Sequence, residues 1–145
     1  MKKIILTLAI AIMSIAAFAN EKNVNATVLK SFNKEFAGAE NVSWTTGKSS
    51  YKASFMLNRQ HVTAYYNFEG ELMGLTRNIS SLDLPMSLQT NLKKNYDEYW
   101  ISDLFEVSNA EGTNYYITLE NADETLVLEA VGSAKWTTYK RISKI

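Results

Sequence analysis

The chain has 145 residues, with 15 Lys and Arg against 15 Asp and Glu, a balance that offers no basic face to nucleic acid. It has no cysteine and a single histidine, His61, which excludes disulfides, thiol chemistry and a zinc site built on histidine and cysteine. Stability must therefore come from a packed core, and the 12% of aromatic residues are the strongest compositional signal that remains.

The N-terminus reads Met1-Lys2-Lys3, then an apolar run from Ile4 to Met13, then small residues ending Ala17-Phe18-Ala19. A charged start, an apolar middle and an A-x-A site predict a signal peptide over residues 1–19, cut after Ala19. The run from Ile4 to Ala19 is 16 residues, short of the roughly 20 that span a bilayer. The expected product is a periplasmic or secreted chain, residues 20–145, with no membrane span after cleavage. Loss of Lys2 and Lys3 leaves it 13 basic against 15 acidic residues.

Val24, Val28, Leu29, Phe32 and Phe36 recur at spacings of three and four, which predicts an amphipathic helix stopped near Gly38. Alternation then predicts strands over Asn41 to Thr46, Tyr51 to Asn58, His61 to Phe68 and Leu72 to Ile79, with hairpin breaks at Arg59-Gln60 and around Gly70. Pro85 opens a second, weaker helix through Leu92 and Tyr96, since proline is tolerated in a first turn. Strands follow at Tyr99 to Val107, Thr113 to Glu120, Thr125 to Val131 and Lys135 to Ile142. Phe32 and Leu92, and Phe36 and Tyr96, are each 60 residues apart, and Gly70 and Gly132 are 62 apart.

This order predicts an α+β fold: a single domain over 20–145 made of two repeats, about 24–79 and 84–143. Each would be a helix plus a four-stranded antiparallel sheet, helices on one face and an open, concave sheet face on the other. Strand alternation turns Tyr51, Ala53, Phe55, Val62, Ala64, Tyr66, Phe68, Tyr115, Ile117 and Leu128 inward. Met56, Thr63, Tyr65, Tyr116, Tyr139 and Arg141 turn outward, and they are the candidate binding residues, because Tyr and Arg anchor interfaces when desolvated.

Catalytic and metal signals are weak. A Ser-His-Asp arrangement could use only His61, which starts a strand beside a turn, and there is no H-E-x-x-H pair, G-x-S-x-G elbow or phosphate-binding glycine loop. Glu69, Glu71, Asp97, Glu98, Asp123 and Glu124 fall at breaks between elements, where solvated charge is ordinary. No enzyme, cofactor or metal is expected.

Phe32-x-x-x-Phe36-x-Gly38-Ala39-x-Asn41-Val42-x-Trp44, then Tyr51-x-Ala53-x-Phe55, Ala64 to Leu72 and Leu84-Pro85, resembles the β-lactamase-inhibitor-like, PepSY-like family of small exported bacterial proteins. The likeness covers about Val24 to Ile142. It implies helices on one side of an antiparallel sheet whose other side is open. It also implies protein binding, since the inhibitor protein that labels the family grips an enzyme with its concave sheet. That protein carries disulfides, whereas this chain has no cysteine, and no inhibitory motif aligns here, so the resemblance implies no inhibitory residue. The expected function is an exported binding protein whose open face engages another envelope or secreted protein, as a hydrolase or peptidase inhibitor in its narrowest form. The alternative is a periplasmic sensor or carrier of a small ligand.

Overall fold

The computed structural model describes residues 23–145. The expected signal peptide over residues 1–19 lies outside the described residues. Helix α1 (Ala26–Glu35) starts at Asn25, whose side chain accepts the Val28 N–H at 2.9 Å and donates to the Phe68 carbonyl at 2.8 Å. One residue thus satisfies an orphan helix donor and ties the helix to the sheet. Four strands follow: β1 (Glu40–Thr46), β2 (Tyr51–Leu57), β3 (Gln60–Tyr66) and β4 (Leu72–Asn78). The β2–β3 hairpin turns on Asn58 and Arg59, both left-handed, one residue earlier than Arg59-Gln60. Two consecutive positive φ values give the turn whose twist matches the strands. Gly70 closes the next turn at φ +86°, packed so closely on Thr27 and Ser31 of α1 that a Cβ would crowd them. After a 3-10 turn at Ser81–Asp83, helix α2 (Met86–Asn95) leads into β5 (Trp100–Asn109), β6 (Gly112–Glu120), β7 (Glu124–Val131) and β8 (Thr137–Ser143).

All eight strands form one antiparallel sheet in sequence order. The expected α+β tandem of two helix-plus-four-strand units is therefore corrected. Among the described residues the fold is mainly β, with two ten-residue helices beside eight strands of seven to ten residues. The sheet does not divide into two four-stranded repeats, because β4 bonds directly to β5, from Leu75 opposite Ser108 to Asn78 opposite Phe105.

Apolar burial accounts for where the helices lie. Val28 and Phe32 of α1 pack with Trp44, Tyr51, Ala53, Phe55, Val62, Ala64 and Tyr66. Leu88 and Leu92 of α2 pack with Leu104, Ile117, Leu119, Leu126, Leu128, Ala130 and Trp136. Phe32 is the hub of the first cluster, with ring centroids 5.1 Å from Trp44 and 5.0 Å from Phe55, both edge-on. The Trp136 indole N–H donates to the Leu88 carbonyl at 3.2 Å, so the largest ring of the second cluster leaves no polar atom stranded. Phe68, expected inward, lies past the end of β3 and is 41% exposed.

Phe32→Ala removes a buried ring that four aromatic neighbours enclose and should cost about 3–5 kcal/mol. Phe68→Ala, which loses one edge contact with Tyr51, should cost only about 1 kcal/mol. Urea unfolding of the two variants measures the difference, and equal costs would contradict the packing described.

Candidate functional site

Residues opposite each other in an antiparallel pair share a face, and strand neighbours alternate between faces. Ala53, Ala64, Ile117 and Leu128 belong to the two clusters and mark the helix side. The opposite side carries rungs of registered residues. One runs Ser43, Ser54, Thr63, Thr76, Val107, Asn114 and Val131, across seven strands. A second runs Thr45, Lys52, Tyr65 and Gly74, and a third runs Asn78, Phe105, Tyr116, Glu129 and Thr137.

A hollow of about 540 Å³ opens on this face over β4. Gly74 is the reason for its position: it puts no side chain into its rung, and a Cβ there would lie 3.2 Å from the Ser108 carbonyl oxygen. Tyr65 stands on one side, and Tyr116, Glu129 and Tyr139 stand on the other, with Ser49, Ser50, Asn109 and Asn114 among the other lining residues. Tyr116 is held from three directions. Its ring stacks on Phe105 at 5.4 Å, meets Tyr139 at 5.9 Å and 89°, and its hydroxyl donates to Glu129 Oε1 at 2.6 Å. A smaller cleft of about 270 Å³ lies beside α2, between Leu82, Gln89, Tyr96 and Ile101.

Three of the six residues singled out from the sequence, Tyr65, Tyr116 and Tyr139, line the hollow together. Met56 is half-buried in β2, opposite His61 and away from it. Thr63 is on the same face but buried, its hydroxyl 3.4 Å from that of Ser54. Arg141 lies opposite the core residue Leu126, turned to the helix side, with Nη1 3.4 Å from Glu124. The cause is a break in register between Val127 and Leu128, which interrupts the alternation of β8 and leaves Tyr139 and Arg141 on different faces. Gly74, Glu129, Asn109 and Asn114 were not anticipated. A lone glycine within a strand pattern and a glutamate between inward Leu128 and Ala130 were the available signals.

His61 is exposed and, among the described residues, has no hydrogen-bonded acid beside it. Nor does any group of three His, Asp or Glu among them come together as a metal site. No helix among the described residues is long and apolar enough to cross a membrane.

No family model matches the chain, and no curated protein matches it. Several solved structures share its fold. A BLIP-like protein from Bacteroides fragilis aligns over 82% of this chain and 85% of its own, with a TM-score of 0.68 and 13% identity. A DUF2874 family protein from Bacteroides ovatus aligns over 81% and 86%, at 0.69 and 17%. A protein from Bacteroides eggerthii, described as a candidate periplasmic protein, aligns over 83% and 88%, at 0.73 and 11%. At these identities the likeness is one of fold. It supports the β-lactamase-inhibitor-like part of the resemblance, whereas the PepSY-like part rests on the sequence residues alone.

Electrostatics sets Tyr116 apart from an ordinary surface tyrosine. Burial raises its phenol above the usual range, and the hydrogen bond to the Glu129 carboxylate, with the charge there, raises it further. Burial likewise raises Tyr65. An unfolded tyrosine ionises near pH 10. Above that pH the unfolded chain gives up a proton that the folded Tyr116 keeps, so its contribution to stability is complete below about pH 10 and is lost as pH rises further. Tyr116→Phe should cost about 1 kcal/mol at neutral pH through the lost hydrogen bond. It should also make stability fall less steeply above pH 10. Urea midpoints measured across the alkaline range, with tyrosinate absorbance alongside, check both, and an unchanged alkaline slope would contradict the raised phenol.

Proposed function

We propose that this chain is an exported, non-enzymatic binding protein whose open sheet face docks another envelope or secreted protein, with inhibition of a hydrolase or peptidase as the narrowest form of that reading. The observation that carries it is the tyrosine-lined hollow on the side of the sheet opposite the helices. Large rings presented at the surface are expensive to leave in water and supply contact area at low entropic cost when covered. Tyr139 is 53% exposed and Val131 66% exposed, while Phe105 and Glu129 hold Tyr116 in one orientation. A surface so preorganised loses little freedom on docking.

Export is supported by the leader pattern of residues 1–19 and by the periplasmic description of one structural relative. The BLIP-like label of another gives the inhibitory form its motive. The absence of an activity is supported by the isolation of His61 and by the lack of any catalytic motif in the sequence. A second reading, a small-ligand sensor or carrier, is favoured by one fact: a hollow of about 540 Å³ has the size of a small-molecule site.

Tagged protein lacking residues 1–19 should retain a partner from the envelope or secreted fraction of the cells that make it. Tyr65→Ala combined with Tyr139→Ala should weaken that capture more than tenfold, since central interface tyrosines are worth about 2 kcal/mol each. Tyr139→Ala alone, at an exposed position, serves as the variant that keeps the fold. Capture that survives both changes would move the docking surface off this face, and saturable uptake of a metabolite in place of a protein would favour the second reading.

A further inference from the structure

We propose that the hollow recognises a basic side chain, a lysine or arginine projecting from the docked partner, which rests on the protein-docking reading above and names the chemistry of the contact. Glu129 is the one ionisable carboxylate in the lining. Its Oε1 accepts the Tyr116 hydroxyl, and its Oε2 has no hydrogen-bond partner among the described residues. Tyr116 and Tyr139 meet at 89° beside it, so two ring walls and a carboxylate form a corner. A cation placed over a tyrosine face is attracted by the ring quadrupole, and more strongly where water is excluded. Donation of the Tyr116 hydroxyl to a carboxylate pushes electron density into its ring and deepens that attraction. Phe105, stacked behind Tyr116 at 5.4 Å, fixes the wall in place.

The other charges exposed on this face are mixed in sign, and its lysines disfavour a cation rather than attract one. Lys52 and Lys140 are exposed on the same face, Lys52 opposite Tyr65 and Lys140 opposite Val127. Asp103, also exposed there, is held by the Asn78 amide at 3.1 Å. Neither lysine makes an ion pair with Glu129 among the described residues, so the carboxylate keeps its capacity for an incoming cation. A free small amine would fill the corner and leave exposed Val131 uncovered, whereas a side chain borne on a protein covers both.

The test titrates the exported protein with the Nα-acetyl methylamides of arginine and lysine, and with that of citrulline as the neutral isostere, following NMR shifts of Tyr116, Glu129 and Tyr139. Both basic probes should give saturable shifts, and citrulline should bind about tenfold or more weakly. Glu129→Gln, which keeps an acceptor for Tyr116, should lower affinity for the basic probes about tenfold while leaving citrulline unchanged. If that variant does not fold, added salt on the native protein substitutes for it, weakening the basic probes selectively. Citrulline binding as well as arginine, or affinity indifferent to Glu129 and to salt, would overturn the proposal. Capture of a partner without cation binding would overturn it while keeping the docking reading. Cation binding with no partner captured would overturn both in favour of a small-cation site.

Discussion

The hollow depends on the pairing of β4 with β5. Four registered pairs, from Leu75 and Ser108 to Asn78 and Phe105, put the strands packed against α1 and those packed against α2 into one sheet. That pairing brings Tyr65 of β3 to one side of Gly74 and Tyr116 of β6 to the other. Were β4 an edge, the two tyrosines would belong to separate surfaces and Gly74 would border solvent. The junction is polar on its helix side, where Arg77 pairs with Glu106 and reaches Gln60 at 3.1 Å, between the two apolar clusters. Arg77 is too exposed for the ion pair to add much stability.

Much of this was legible in the sequence because strands announce themselves by alternation. Ala53, Phe55, Ala64, Ile117 and Leu128 are buried on the side that a period of two assigns them, and the helices begin where Asn25 and Pro85 permit. Alternation speaks only of one strand at a time. Which strand is an edge is decided by backbone hydrogen bonds that no side chain records, and so alternation does not reveal that β4 and β5 join all eight strands into one sheet. Each helix does pack on its own set of strands, but eight strands of seven to ten residues outweigh two helices of ten, and that makes the fold mainly β.

The candidate site failed to show itself for a different reason. Breaks in register at Tyr65/Tyr66, Ile101/Asp103 and Val127/Leu128 shift the phase of the alternation partway along a strand. Tyr139 and Arg141, two residues apart, should share a face in a regular strand and do not. Thr63 shows the converse, a residue of correct phase that is nonetheless buried. Glu129 was readable as outward but not as meaningful, since a solvated glutamate is the ordinary expectation for such a position. Only its 2.6 Å contact with Tyr116, a distance in space and not in sequence, separates it from the charges of the turns.

The two edges of the sheet bear on where recognition can occur. An open edge offers unpaired backbone groups to any passing strand, and natural sheets blunt it with bulges and charge. Both devices are present here. β1 breaks register between Glu40 and Ser43, with Asn41 at φ +54°, and β8 does so opposite Val127 and Leu128 while carrying Lys140 and Arg141. Just past β8, Lys144 ties the chain end to Glu120 at 2.9 Å and lies over the Trp100 ring. Strand addition at either edge would have to straighten these irregularities and desolvate the charges. The face needs no such rearrangement, since its rings are already oriented and the carboxylate of its hollow already placed, and this difference in cost favours docking onto the sheet over docking along it.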